Sequence, residues 1–222
     1  MEQLRSIGHA AGGTVNDAAL AAVAVGLDRL LAGRGEVPEV LFASVPLALR
    51  RRASTRDLGN QTVGMRVPLP LGGGLVARIE RIARFTREHR SYRFDPAAVA
   101  LFGVVWWGFV NPIGAWLASR QRLVNLFVTN VPGPPQPLSL LGSEVVEVVP
   151  VPPTMGNVPI AVGVFSYAGR LTLSVNADPD AVPDLDVFVE GLEEALGSCA
   201  ASAEYPPTTS LHEQPIALTV RG

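Results

Sequence analysis

Residues 15 to 31, VNDAALAAVAVGLDRLL, read as a helix with apolar side chains on nearly every face, among them Val15, Ala18, Leu20, Val23, Val25, Leu27 and Leu30. A surface helix keeps one polar side, so a helix of this kind is expected to be buried rather than half exposed. Gly33 and Gly35 end it. The rest of the chain has to supply the elements that cover it. With 48% hydrophobic and only 17% charged residues in 222, there is material for one large core and little case for a disordered chain.

Those elements can be followed along the sequence. Residues 39 to 49 (EVLFASVPLAL) read as an interior strand, and a polar, basic loop runs from Arg50 to Asp57. Val63, Met65, Val67 and Leu69 alternate as a strand with one buried face. After Gly72, Gly73 and Gly74 a second helix is predicted over 75 to 92, with a stripe of Leu75, Ile79, Ile82, Phe85 and Thr86. Arg78, Arg81, Arg84 and Arg87 step backwards by about 60° each at 3.6 residues per turn. They are read as a solvated face rather than a polyanion site.

Arg122 to Asn130 and Val145 to Val151 are predicted strands. Residues 160 to 167 and 170 to 176 form a predicted hairpin across Ala168-Gly169, with Leu171, Leu173 and Val175 alternating against Thr172, Ser174 and Asn176. A last helix opens at Pro183, with Asp184 and Asp186 where the helix dipole favours acids. Its predicted buried face is Leu185, Phe188, Val189, Leu192 and Leu196. Residues 1–200 are expected to be one domain and 201–222 a flexible tail. Helices interspersed among five or six strands, with a late hairpin, give an α/β sandwich with a mixed sheet rather than a regular βαβ series.

Charge and cysteine content narrow the function classes. A formal charge of -2 gives no global attraction to nucleic acid or to an anionic membrane. A single cysteine, Cys199, excludes an internal disulfide framework and a cysteine-based structural zinc site. The start, MEQLRSIGHAAGGTVNDAAL, has no long apolar run behind a basic segment, so no secretory signal is expected. Ala97 to Ala118 is uncharged and contains Trp106, Trp107 and Trp116. It is read as a pair of short buried helices broken at Asn111-Pro112, against a membrane span or an interfacial segment.

No catalytic constellation stands out. His9, His89 and His212 are far apart and lack an acid or nucleophile at a recognised spacing. The three glycines at 72–74 are not followed by the Lys-Ser/Thr of a phosphate loop. Cys199 reads as a small core filler. No metal site and no cofactor are expected.

Four ordered segments resemble the C-terminal domain of bacterial wax ester synthase/diacylglycerol acyltransferases. They are Thr14-Val15-Asn16-Asp17 with the apolar helix after it; Val45-Pro46-Leu47-Ala48-Leu49-Arg50 with Leu58-Gly59-Asn60-Gln61; Thr129-Asn130-Val131-Pro132-Gly133-Pro134 with Pro137-Leu138 and Gly142; and Ser166-Tyr167-Ala168-Gly169-Arg170-Leu171 with Ala177-Asp178 and Pro183-Asp184. The resemblance covers roughly residues 4 to 198. It implies the C-terminal half of a fold of the chloramphenicol acetyltransferase and condensation-domain type, in which two α/β domains enclose a channel. It also implies transfer of a fatty acyl group from acyl-CoA, as co-substrate, to a long-chain alcohol or diacylglycerol.

In that family a His-His-x-x-x-Asp-Gly motif in the N-terminal domain supplies the general base, and this sequence has no such motif. A histidine-bearing N-terminal half, or self-association, is therefore the expected partner, and the chain alone is expected to be inactive. A non-catalytic lipid-binding or interaction module is the alternative. The cytoplasm is the expected location, with peripheral contact to the inner membrane face or lipid inclusions. Asn16 and Asp17 match the family's Asn-Asp pair: Asn16 would hydrogen-bond substrate and Asp17 would hold the helix start, the alternative being a plain cap. Thr129 and Asn130 end a strand that, in the related two-domain acyltransferases the resemblance points to, brings a hydroxyl towards the oxyanion; the alternative is a strand end closed by its own turn. Arg50, Asn60, Gln61, Pro132 and Gly133 would line the substrate channel.

Overall fold

The computed structural model describes residues 2–48, 62–89, 111–112, 116, 119–201 and 217–221. Along the chain run α1 (Glu2–Ala10), α2 (Val15–Gly33), β1 (Val40–Ala48), β2 (Thr62–Pro70), α3 (Leu75–His89) and β3 (Leu126–Pro132). Two short strands follow, β4 (Ser139–Leu140) and β5 (Ser143–Glu144), then β6 (Ile160–Tyr167), β7 (Arg170–Ala177), α4 (Leu185–Ala201) and β8 (Ala217–Arg221). Among the described residues six strands form one sheet in the order β2-β1-β3-β6-β7-β8. The β1–β3, β3–β6 and β7–β8 pairs are parallel, and β1–β2 and β6–β7 are antiparallel. The architecture is a mixed α/β fold, as the order of elements implied.

α2 is the centre of the core. Leu20, Val23, Leu27 and Leu30 are all buried, and the helix packs against α1, α3 and α4. Each such side chain contributes roughly 1.5–3 kcal/mol when fully buried. From the sheet, Ala43 and Val45, Val67 and Leu69, Leu126 and Val128, and Val162 and Val164 enter the same cluster. One face of the sheet therefore looks towards the helices. α4 buries Leu185, Phe188, Val189, Leu192 and Leu196, the face the spacing predicts. The β6–β7 hairpin turns at Ala168 (φ 47°) and Gly169 (φ 81°), both left-handed as a two-residue turn between twisted strands requires.

Four expectations need correction. Arg78 is not on a solvated face: it is only 3% exposed. It lies about 60° from Leu75 around the helix, at the border of the apolar stripe. Its Nη1 donates to the Ala24 carbonyl (2.9 Å) and the Pro70 carbonyl (3.2 Å), its Nε to the Gly73 carbonyl (3.1 Å), and its Nη2 to Asp28. Residues 145–151 are not a strand. The segment crosses the second sheet face, where Ser174 Oγ donates to the Pro150 carbonyl and Asn176 Nδ2 to the Pro152 carbonyl (3.0 Å). Proline has no N–H to offer a ladder, so side chains of β7 hold this stretch instead. Ala217–Arg221 is β8, parallel to β7, rather than part of a loose tail. Finally, β3 begins at Leu126 and runs on to Pro132, later than expected.

α1 is an element that the sequence reading did not foresee; it buries Leu4. Among the described residues no single helix is long and apolar enough to cross a membrane. Of the tryptophan-rich segment only Asn111, Pro112 and Trp116 are described, so its three readings lie outside the described residues. The Arg50–Asp57 loop, His212 and the side chain of Cys199 do so as well.

Candidate functional site

The start of α2 is built by a reciprocal cap. Thr14 is the N-cap residue; its hydroxyl accepts from the Asp17 N–H (3.3 Å) and donates to Asp17 Oδ2 (2.8 Å). The Thr14 N–H donates to the same carboxylate oxygen (2.8 Å). The other oxygen, Oδ1, accepts from the Thr86 hydroxyl of α3 (2.9 Å). Asp17 is 2% exposed, so its carboxylate is spent on holding the helix start and on joining α2 to α3.

Asn16, one residue earlier, points elsewhere. Its side-chain carbonyl accepts from Asn130 Nδ2 at 3.1 Å. In β3, Leu126 and Val128 point to the helices, and Asn130 is the next residue on that face. The amide thus takes the place of a third apolar side chain, at the C-terminal end of a central parallel strand.

Thr129 alternates to the opposite face. It stands in register with Gly163, which pairs in turn with Ser174. Thr129 and Asn16 therefore address opposite sides of the sheet, although both were candidates for one site. Among the described residues the Thr129 hydroxyl, Asn16 Nδ2 and Asn130 Oδ1 have no hydrogen-bond partner.

Beyond β3 the chain keeps following β6. The Gly133 N–H donates to the Ser166 carbonyl (2.8 Å), and a Cβ at Gly133 would lie 2.3 Å from that oxygen and 2.5 Å from the Phe165 ring. No larger residue fits. Pro132 is exposed, and the Pro134 carbonyl accepts from the Ala168 N–H (3.1 Å). The β4–β5 hairpin comes next. Its base is tied by the Tyr167 hydroxyl, which accepts from the Leu138 N–H and donates to the Val145 carbonyl, both at 2.7 Å. Leu140 and Leu141 at its tip are exposed, Leu141 almost wholly (99%).

Arg50, Asn60 and Gln61 lie outside the described residues. His9 is exposed, while His89 stacks on Phe85 with ring centroids 3.9 Å apart and has Nδ1 2.9 Å from the Phe85 carbonyl. Among the described residues no group of three or more His, Cys, Asp or Glu side chains is placed to hold a metal ion. An open cleft of about 480 Å³ lies between α1, α3 and α4, lined by residues including Ile7, Leu75, Val76 and Ser198. It contains none of the candidate residues. Thr86 and Tyr167 were missed as supports of the site; the one available signal for Thr86 was a hydroxyl within an otherwise apolar helix stripe.

A family model described as the WS/DGAT C-terminal domain matches residues 58–199. A Mycobacterium bovis protein named as a diacylglycerol O-acyltransferase is 30% identical over 200 residues, which cover 85% of this chain and 42% of that protein. A Mycobacterium tuberculosis protein of the same name is 28% identical over 223 residues, 96% of this chain and 44% of that protein. The chain thus spans less than half the length of the curated relatives it matches. Its fold is similar to that of a wax ester synthase/diacylglycerol acyltransferase from Marinobacter aquaeolei VT8, with a TM-score of 0.67 and 21% identity over 92% of this chain and 47% of that one. It is also similar to the starter condensation domain of a rhizomide synthetase, with a TM-score of 0.54 and 16% identity over 86% of this chain and 43% of that one.

Proposed function

This chain belongs to the wax ester synthase/diacylglycerol acyltransferase family, and from that premise we propose that it forms one wall of an acyl-transfer site. The general base is carried by the remaining length of such proteins, on the histidine motif that the resemblance implies. In the reaction so assigned, the hydroxyl of a long-chain alcohol or diacylglycerol attacks the thioester carbonyl of an acyl-CoA. The base takes the hydroxyl proton, the new C–O bond forms, and CoA leaves as the thiol once that proton is passed on. Without the base the acceptor is a poor nucleophile at neutral pH, and its loss costs ~10²–10⁴-fold.

The observation that carries this reading is the Asn130–Asn16 pair. One hydrogen bond locks the two amides together and leaves a donor on Asn16 and an acceptor on Asn130 for a third group. A fixed donor aimed at developing negative charge can lower a barrier by ~3 kcal/mol. The Thr129 hydroxyl leaves the other face of the sheet, so any donor role it has is separate from that of the amide pair. Pro132 and Gly133 would continue the wall at the end of β3, with Arg50, Asn60 and Gln61 completing the channel.

The exposed leucines of the β4–β5 hairpin support contact with the histidine-bearing half. Self-association is the expected behaviour of the chain when that half is withheld. We place the reaction in the cytoplasm, at the surface of the lipids that supply its acceptor.

The test is reconstitution. The chain and a histidine-bearing half are assayed separately and together with palmitoyl-CoA and hexadecanol or diacylglycerol, following CoA release. Turnover is expected only from the mixture. Robust turnover by this chain alone, or a stable assembly that binds lipid without turnover, would overturn the reading; the second result favours a non-catalytic lipid-binding module.

A further inference from the structure

We propose that Thr86 is a positioning residue for the Asn16–Asn130 amide pair, acting through the carboxylate of Asp17. Its functional consequence rests on the acyl-transfer reading above. The geometric part does not.

The Asp17 carboxylate divides its two oxygens between two helices. Oδ2 serves the cap of α2 itself, through the N–H and hydroxyl of Thr14. Oδ1 serves α3, through the Thr86 hydroxyl at 2.9 Å, from a residue 69 positions away in sequence. A capping box needs only the first half of this arrangement. The second half fixes the first turn of α2 against a different element. Thr86 is 5% exposed, and its hydroxyl also lies 3.3 Å from the Ala83 carbonyl.

Packing enforces the same register. The chain enters α2 so close to α3 that a Cβ on Gly13 would lie 3.1 Å from Ala83 and 3.2 Å from both Ile79 and Asp17. α3 is therefore the surface on which the first turn of α2 is seated, and Thr86 is the hydrogen bond that sets its rotation. Consecutive helical residues point about 100° apart, so with Asp17 held towards α3, Asn16 is turned towards β3. There its carbonyl meets Asn130 Nδ2.

The geometry makes the amide pair sensitive to that rotation. An atom about 6 Å from a helix axis moves by about 1 Å when the turn rotates by roughly 10°. A displacement of that size breaks a 3.1 Å hydrogen bond and misaims whatever the free Asn16 donor is meant to meet. Thr86 makes no hydrogen bond to either amide, and its hydrogen-bonded link towards them is Asp17.

The experiment separates placement from mere stability. Thr86→Val keeps the shape and removes the hydroxyl; Thr86→Ser keeps the hydroxyl and removes the methyl. In the 222-residue chain, the Asn130 side-chain amide is followed by nitrogen-15 NMR, its resonance assigned through Asn130→Ala. Solvent exchange of its protons should quicken ~10-fold in Thr86→Val and stay near wild type in Thr86→Ser. If Thr86→Val does not fold, Thr86→Ser decides alone: retained protection supports the proposal and lost protection overturns it.

In the reconstituted enzyme, Thr86→Val should lower kcat ~10-fold with little change in KM, and Thr86→Ser should restore it. A Thr86→Val protein with an unchanged Asn130 signal, or with reduced melting temperature but full kcat per folded molecule, overturns the proposal. A wild-type assembly that turns over nothing would fail the acyl-transfer reading instead, and the amide signal would then judge the positioning role by itself.

Discussion

The side-chain amide of Asn130 donates to the side-chain carbonyl of Asn16 across 3.1 Å, linking the end of β3 to the first turn of α2 over 114 positions of chain. Both belong to segments that carry the family resemblance, yet neither segment implies the other. The pair is where the fold converts two local motifs into one polar surface.

Asn16→Ala and Asn130→Ala should therefore be coupled. Each single change is expected to cost about 1 kcal/mol in stability, and the double change less than the sum by ~0.5–1 kcal/mol. Thr129→Val combined with Asn16→Ala should be additive, because the two leave the sheet on opposite faces and share no partner. Chemical denaturation of all five variants measures this. In the reconstituted enzyme Asn16→Ala should lower kcat by ~10²-fold with a smaller effect on KM.

Arg78→Met should be the costly substitution in α3. It removes the guanidinium donor from the carbonyls of Ala24, Pro70 and Gly73 and the charged partner of Asp28. A loss of about 2–4 kcal/mol is expected. Arg78→Lys should recover less than half of it, since an ammonium cannot reproduce the guanidinium fork. Arg81→Met and Arg84→Met, on the exposed face, should fall within about 0.5 kcal/mol of wild type by thermal melting.

Tyr167→Phe tests the tether of the β4–β5 hairpin. The hydroxyl is the shared partner of the Leu138 N–H and the Val145 carbonyl. Its removal should cost about 1–2 kcal/mol. Hydrogen exchange should quicken at Leu138 while the β6–β7 ladder keeps its protection. Uniform loss of protection across the sheet would assign Tyr167 to the global core instead.

Arg34 and Asp184 join the C-terminal end of α2 to the start of α4, with Arg34 Nε 2.9 Å from Asp184 Oδ2. The hydrogen bond from Arg34 holds the Asp184 carboxyl below the ordinary aspartate range. A lowered folded pKa means that the stabilisation is complete above the unfolded value of about 3.9 and is lost as pH falls through the folded value. Asp184→Asn should therefore lower the melting temperature slightly at pH 7, and the gap to wild type should close in strong acid. Salt should narrow the gap at neutral pH, because both side chains are about one third exposed.

Where the structure departs from the sequence reading, the reason is a partner remote in the chain. Arg78 was placed among solvated arginines because it shares a three-residue spacing with Arg81, Arg84 and Arg87; Asp28 and two carbonyls from other elements make its burial tolerable instead. Residues 145–151 have the composition of a strand, but the Pro150 carbonyl meets the Ser174 side chain, and the Pro152 carbonyl just beyond meets that of Asn176, rather than a free ladder edge.

The burial of α2, the β6–β7 hairpin and the inner face of α4 were determined by the sequence alone. Each depends on a periodicity of apolar residues or on turn chemistry within a few positions, and such patterns need no knowledge of the partner. The division of labour between Asn16 and Asp17 was decided only by the tertiary structure. Adjacent residues in a helix point about 100° apart. Which of them meets a strand and which meets another helix depends on how α2 is seated between β3 and α3. The Asn130 amide and the Thr86 hydroxyl settle that seating, and no local pattern in the chain records where they will be.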